Sequence, residues 1–89
     1  MLKENERILK NRDILINLGI CISVLRKIQG MTQEALAEKA GISRSFLSAV
    51  EAPGLAKSFT VDVLLKLADA LGIPPEELLE AAGRDYPYK

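Results

Sequence analysis

Between residues 14 and 82 the apolar residues recur mostly at three- and four-residue spacings, the signature of helices with one buried face. The pattern is most informative from Gly30 to Glu51. Leu36, Ala37 and Ala40 fall on one face of a short helix that starts near Gln33. Thr32 precedes it as an N-cap, Gln33 and Glu34 suit its positive end, and Gly41 supplies the left-handed residue that ends it. Ser43 caps a second short helix, in which Leu47 and Val50 point inward while Arg44, Ser45, Ser48 and Ala49 share the opposite side. The small side chain of Ala37 and the tight glycine-containing turn predict two helices crossing closely at a steep angle.

The flanks are helical as well. A longer helix is expected from about Asp13 to Gln29, ended by Gly30, and Ile16, Ile20, Val24 and Ile28 make an apolar stripe along it at four-residue spacing, with Cys21 beside it. Left uncovered, that stripe would expose several large hydrophobes; Ile8 and Leu9, Leu78 and Leu79, or a second subunit are the candidates to cover it. After Glu51 the segment APGLAKSF reads as a loop through Pro53 and Gly54. Thr60 then caps a helix to Leu71 with Asp62 in its first turn, an apolar stripe of Val61, Leu64, Leu65, Ala68 and Leu71, and Gly72 as its stop. IPPEELLEAAG forms the last helix, with proline tolerated in the first turn, Glu76 and Glu77 at the positive end and Gly83 closing it. Residues 1–13 are mostly charged and read as an arm or short helix with a solvated surface, although Arg7, Lys10 and Arg12 could reach phosphates. Residues 84–89 are a short tail, in which Tyr86 and Tyr88 could pack back on the domain or on a partner.

The chain of 89 residues suits one domain with a small helical core. One cysteine and no histidine remove disulfide frameworks, zinc sites and histidine-dependent catalysis, and Cys21 reads as a small buried hydrophobe. With no nucleophile–base pair, metal cluster or phosphate-binding glycine loop, neither an enzyme nor a cofactor is expected. The longest apolar stretch, Ile14 to Leu25, is broken by Asn17, Gly19 and Ser23 and is too short to cross a bilayer, so a cytoplasmic protein is expected. The formal net charge is zero, but it is polarised: residues 1–30 carry six basic against three acidic groups, 31–60 three of each, and 61–89 three against six. Such a module can bind a polyanion through a basic face while its far side is acidic, with weak non-specific affinity.

Gly30, Thr32, Gln33, Leu36, Ala37, Gly41, Ser43, Leu47, Val50 and Glu51, in this order, resemble the helix-turn-helix of the phage repressor and Cro family, the XRE-like regulators. The likeness continues upstream through Leu18, Ile22, Leu25 and Arg26 and downstream through LLKLADALGI and EELL, so it covers roughly residues 18 to 80. It implies sequence-specific binding of double-stranded DNA, with Leu18, Ile22 and Leu25 on the buried stripe of the first helix. Arg44 matches the position from which the recognition helix reaches base edges in the major groove, where arginine can donate two hydrogen bonds to guanine. Ser45 and Ser48 would specify weakly, Ala49 could pack on a thymine methyl, and Phe46 is core, while Ser43, the cap of that helix, counts among the DNA-binding residues. Gln33 and Thr32, at a helix start, match phosphate-contacting positions, although capping explains Thr32 equally well. Arg26 and Glu51 match a partly buried structural ion pair. The loop after Glu51 is about two residues longer than usual, and Ala52 stands where relatives often carry a polar phosphate ligand, leaving Lys57 as the candidate replacement.

The resulting expectation is an all-α, compact five-helix repressor-like domain over residues 14–83, with its motif at 32–51 and an N-terminal arm or extra helix. It would act as a DNA-binding transcriptional regulator, with the helix at 43–51 reading the major groove. A homodimer on a two-fold symmetric operator is expected, with half-sites about one helical turn, roughly 34 Å, apart. The competing reading, favoured by zero net charge, a short reading face and the second apolar stripe, is a protein-interaction module, such as an antitoxin whose partner is a toxin, with little DNA binding.

Overall fold

A computed structural model describes the backbone of residues 4–83 and the side chains of residues 11–83. Among the described residues there are five helices and no strand: α1 (Glu4–Ile28), α2 (Gln33–Ala40), α3 (Arg44–Glu51), α4 (Val61–Leu71) and α5 (Pro75–Gly83). The fold is the expected all-α, five-helix arrangement. No single described helix is long and apolar enough to cross a membrane.

Local chemistry sets most of the boundaries. The hydroxyls of Thr32, Ser43 and Thr60 accept from the backbone N–H of Ala35, Phe46 and Val63 at 3.0, 3.0 and 3.3 Å, each satisfying one of the orphan amides of a first turn. The sequences GM, GI and GI at 30–31, 41–42 and 72–73 are three copies of one stop signal. At the second, Gly41 takes φ 73° and donates to Glu38 O, and Ile42 donates to Ala37 O at 3.0 Å, a Schellman motif. Met31, Ile42 and Ile73, the residues after the three glycines, pack against the core, so each stop also turns an apolar side chain inward.

Each helix gives the centre one fully buried large side chain: Ile22, Leu36, Leu47, Leu67 and Leu78. α1 packs along α5 and α3, α2 packs on α3 and α4, and α4 touches α5. Two side-chain amides, one within α1 and one just after its last residue, tie the ends of other helices to it. Asn17, buried, donates to Ala82 O of α5 at 3.0 Å, and Gln29 donates to Leu71 O of α4 at 2.7 Å. Both acceptors are last-turn carbonyls with no partner inside their own helix.

Three expectations need correction. Residues 4–13 are not a separate arm or extra helix but the first turns of α1, because no glycine or proline interrupts the chain before Gly19. A continuous helix cannot fold back on its own later turns, so cover of Ile16 to Ile28 by the segment around Ile8 and Leu9 is ruled out; those two side chains themselves lie outside the described residues. Ile16 and Ile20 are half-buried, whereas Val24 is 48 % and Ile28 74 % exposed. On α4 the buried face is Leu64, Leu67, Ala68, Ala70 and Leu71, and Val61 and Leu65 of the expected stripe are exposed, since α2 and α5 approach α4 from a direction rotated away from them. Tyr86 and Tyr88 lie outside the described residues.

Candidate nucleic-acid interface

Gly41 and Ser43 leave three residues between α2 and α3, so the two short helices share one core seam of Leu36, Ala37, Leu47 and Val50, all buried. With that face inward, Arg44, Ser45 and Ser48 are exposed together on the outer side of α3, and Ala49 at their edge is half-buried. Ser43 is exposed and its hydroxyl is engaged as the N-cap of α3, next to Arg44. Arg44 therefore projects from the first turn of a helix, the place from which a side chain can enter a groove without the helix axis following it.

The far end of α3 is anchored. Arg26 donates from Nε and Nη2 to the two carboxylate oxygens of Glu51, both at 2.9 Å, and from Nη1 to Met31 O at 2.7 Å. Gln33 joins the cluster by donating from Nε2 to Glu51 Oε1 at 3.1 Å. Arg26 and Glu51 are 8 % and 7 % exposed, so their fork-to-fork pairing is nearly free of water. Hydrogen bonding to Glu51, opposed by burial and helped by the carboxylate's charge, holds the Arg26 guanidinium above its already high range. This one cluster joins α1, the start of α2 and the last turn of α3. Gln33 thus has a structural partner that its position in the motif does not reveal.

Lys57, in the loop after α3, lies with Nζ 5.5 Å from the centre of the Phe46 ring, a cation–π arrangement that brings a positive charge back to the first turns of α3. Phe46 also packs against the core, so its ring serves two surfaces. The same loop is held from α1 by Arg12, which donates to Gly54 O at 3.3 Å. Thr32 is exposed with its hydroxyl engaged in capping. No group of three or more acidic, cysteine or histidine residues able to hold a metal occurs among the described residues.

Sequence reasoning missed Asn17, Gln29 and the Gly19 contact described below. Asn17 carried a usable signal, since an amide inside an apolar helical stretch needs a partner when buried.

Two short helices joined by a glycine turn, with a braced inner face and a polar outer face opening on arginine, define a DNA-binding helix-turn-helix protein. The chain belongs to the helix-turn-helix family, whose sequence profile matches residues 22–78, and within it to the XRE-like type. It is similar to the restriction-modification controller protein C.AhdI from Aeromonas hydrophila, with 38 % identity over 72 % of this chain and 94 % of that one, at a TM-score of 0.66. No curated protein matches the chain.

Proposed function

We infer that this protein is a transcriptional regulator that binds specific double-stranded DNA as a homodimer, without enzymatic activity or cofactor. The observation that carries the reading is the exposure of Arg44, Ser45 and Ser48 on one face of a helix whose other face and last turn are locked to the core. In this reading Arg44 pairs with a guanine edge, Ser45 and Ser48 adjust to neighbouring bases, and Ala49 meets a thymine methyl. Thr32, Gln33 and Ser43, at the starts of α2 and α3, face phosphates, and Lys57 supplies the loop contact. The similar controller protein supports a role in controlling gene expression beside a restriction-modification system. A regulator of this kind works in the cytoplasm, where the DNA is.

Five acidic residues of α4 and α5, Asp62, Asp69, Glu76, Glu77 and Glu80, are exposed, so steering depends on the local charge around α3 and not on the net charge. Weak, strongly salt-dependent binding to random DNA follows, with specificity supplied by base contacts. The exposed Val24 and Ile28 lend some weight to a protein partner, but the comparisons give a toxin partner no support. The test is selection of duplexes from a random library, followed by titration of a selected and a scrambled duplex over a range of salt. Enrichment of a two-fold symmetric sequence, bound by two chains, is expected. Failure to enrich any sequence would remove the reading.

A further inference from the structure

We propose that Gly19 is a positioning residue for DNA recognition, because the absence of a side chain there sets how closely the last turn of α3 seats on α1 and so where Arg44 is aimed. The proposal rests on the DNA-binding reading above. Gly19 is buried inside a helix, not at its end. A Cβ built on it would run into the carbonyl oxygen of Val50, closer than the 3.0 Å that real Cβ atoms keep, and would sit 3.2 Å from the carbonyl carbon and 3.6 Å from Glu51 Cα. All three neighbours are backbone, so no rotamer change relieves the clash.

Gly19 therefore acts together with the Arg26–Glu51 pair: one sets the spacing of the α1–α3 seam at Val50, the other its register at the next residue. The reading residues lie at the opposite end of α3. At a rise of about 1.5 Å per residue, Val50 and Arg44 stand about 4.5 Å on either side of Leu47, whose fully buried side chain makes it the point about which α3 would turn. Adding a methyl group at position 19 must open the seam by at least about 1 Å, which, with Leu47 as the pivot, tilts α3 by at least roughly 13° and carries Arg44 a similar distance the other way. A bidentate contact to a base edge depends on donor–acceptor distance and angle and does not survive that displacement, whereas a charge near a phosphate tolerates it.

The experiment measures binding of the full chain to a duplex selected by the wild-type protein and to a scrambled duplex of equal length. Gly19→Ala is compared with Leu67→Ala, which destabilises through a cavity in α4, at a temperature well below both melting midpoints. Gly19→Ala should lower the ratio of selected to scrambled affinity about tenfold, the loss of one bidentate base contact, with scrambled binding little changed. Leu67→Ala should keep the wild-type ratio. If Gly19→Ala does not fold, Arg26→Lys, which keeps the charge but not the fork that fixes the register, must lower the same ratio. A wild-type ratio in folded Gly19→Ala, or in Arg26→Lys when that variant stands in, overturns the proposal while leaving the DNA-binding reading intact. Failure of the wild-type protein to select any sequence overturns that reading itself.

Discussion

Replacing Glu51 by Ala removes the only acidic partner that Arg26 has among the described residues, and it does so where the guanidinium is almost completely shielded, its side chain 10 % exposed. The variant keeps one Arg26 contact, the bond to Met31 O, and loses two charge-assisted bonds together with the acceptor of Gln33. Breaking a buried pair by deleting one partner costs about 3 to 5 kcal/mol, mostly because the survivor stays charged out of water. The retained Met31 bond and the freedom of Arg26 to swing outward argue for the lower end, about 3 kcal/mol. In a domain of this size each kcal/mol moves the melting midpoint by about 4 to 8 °C, so a fall of roughly 12 to 24 °C is expected. Thermal unfolding followed by far-ultraviolet circular dichroism, without DNA, measures it. The double variant Arg26→Met with Glu51→Ala should recover much of the loss, since the cost lies in the unpaired charge. A single variant melting within a degree or two of the parent, or a double variant no better than the single, would refute the reasoning.

Other expectations follow from the same structure. Arg44→Ala should weaken binding to a selected duplex by about 1 to 3 kcal/mol and to a scrambled one by less; equal losses in a fluorescence-anisotropy titration would make Arg44 a phosphate contact. Lys57→Ala should weaken both duplexes alike and reduce the salt slope by about one ion, so an unchanged slope would remove Lys57 from the interface. Asn17→Leu leaves the carbonyl of Ala82 without its side-chain donor and should cost about 1 to 3 kcal/mol in urea unfolding; a neutral result would mean that another donor takes over. Lys66→Ala breaks an ion pair of 2.9 Å whose side chains are 48 % and 69 % exposed, and should change stability by no more than about 0.5 kcal/mol.

Much of this molecule was legible from neighbours a few residues apart. Thr32, Ser43 and Thr60 cap the helices they were expected to cap, and Gly41 and Gly72 end them, because a cap bonds an amide three residues on and a stop bonds carbonyls within one turn. Such interactions are written into the order of residues. The motif from Gly30 to Glu51 was recognisable for the same reason, its turn and its crossing being local.

What the order of residues could not decide was which neighbour covers which face. The resemblance placed Leu18 and Ile22 on the buried stripe of α1, where they are, but periodicity marked a further stripe from Ile16 to Ile28, and only the packing of α3 and α5 determined that its Val24 and Ile28 face outward. On α4 it pointed to Val61 and Leu65, and the direction from which α2 and α5 approach chose Leu67 and Ala70 instead. Propensity argues against Gly19, which costs a helix about 0.5 to 1 kcal/mol relative to alanine, until the carbonyl of Val50 is seen pressed against it. Asn17 and Ala82 are 65 residues apart, and Gln29 and Leu71 are 42 apart. No pattern in the chain announces such pairs, because a buried amide needs some acceptor but only the folded chain determines which carbonyl comes within 3.0 Å of it.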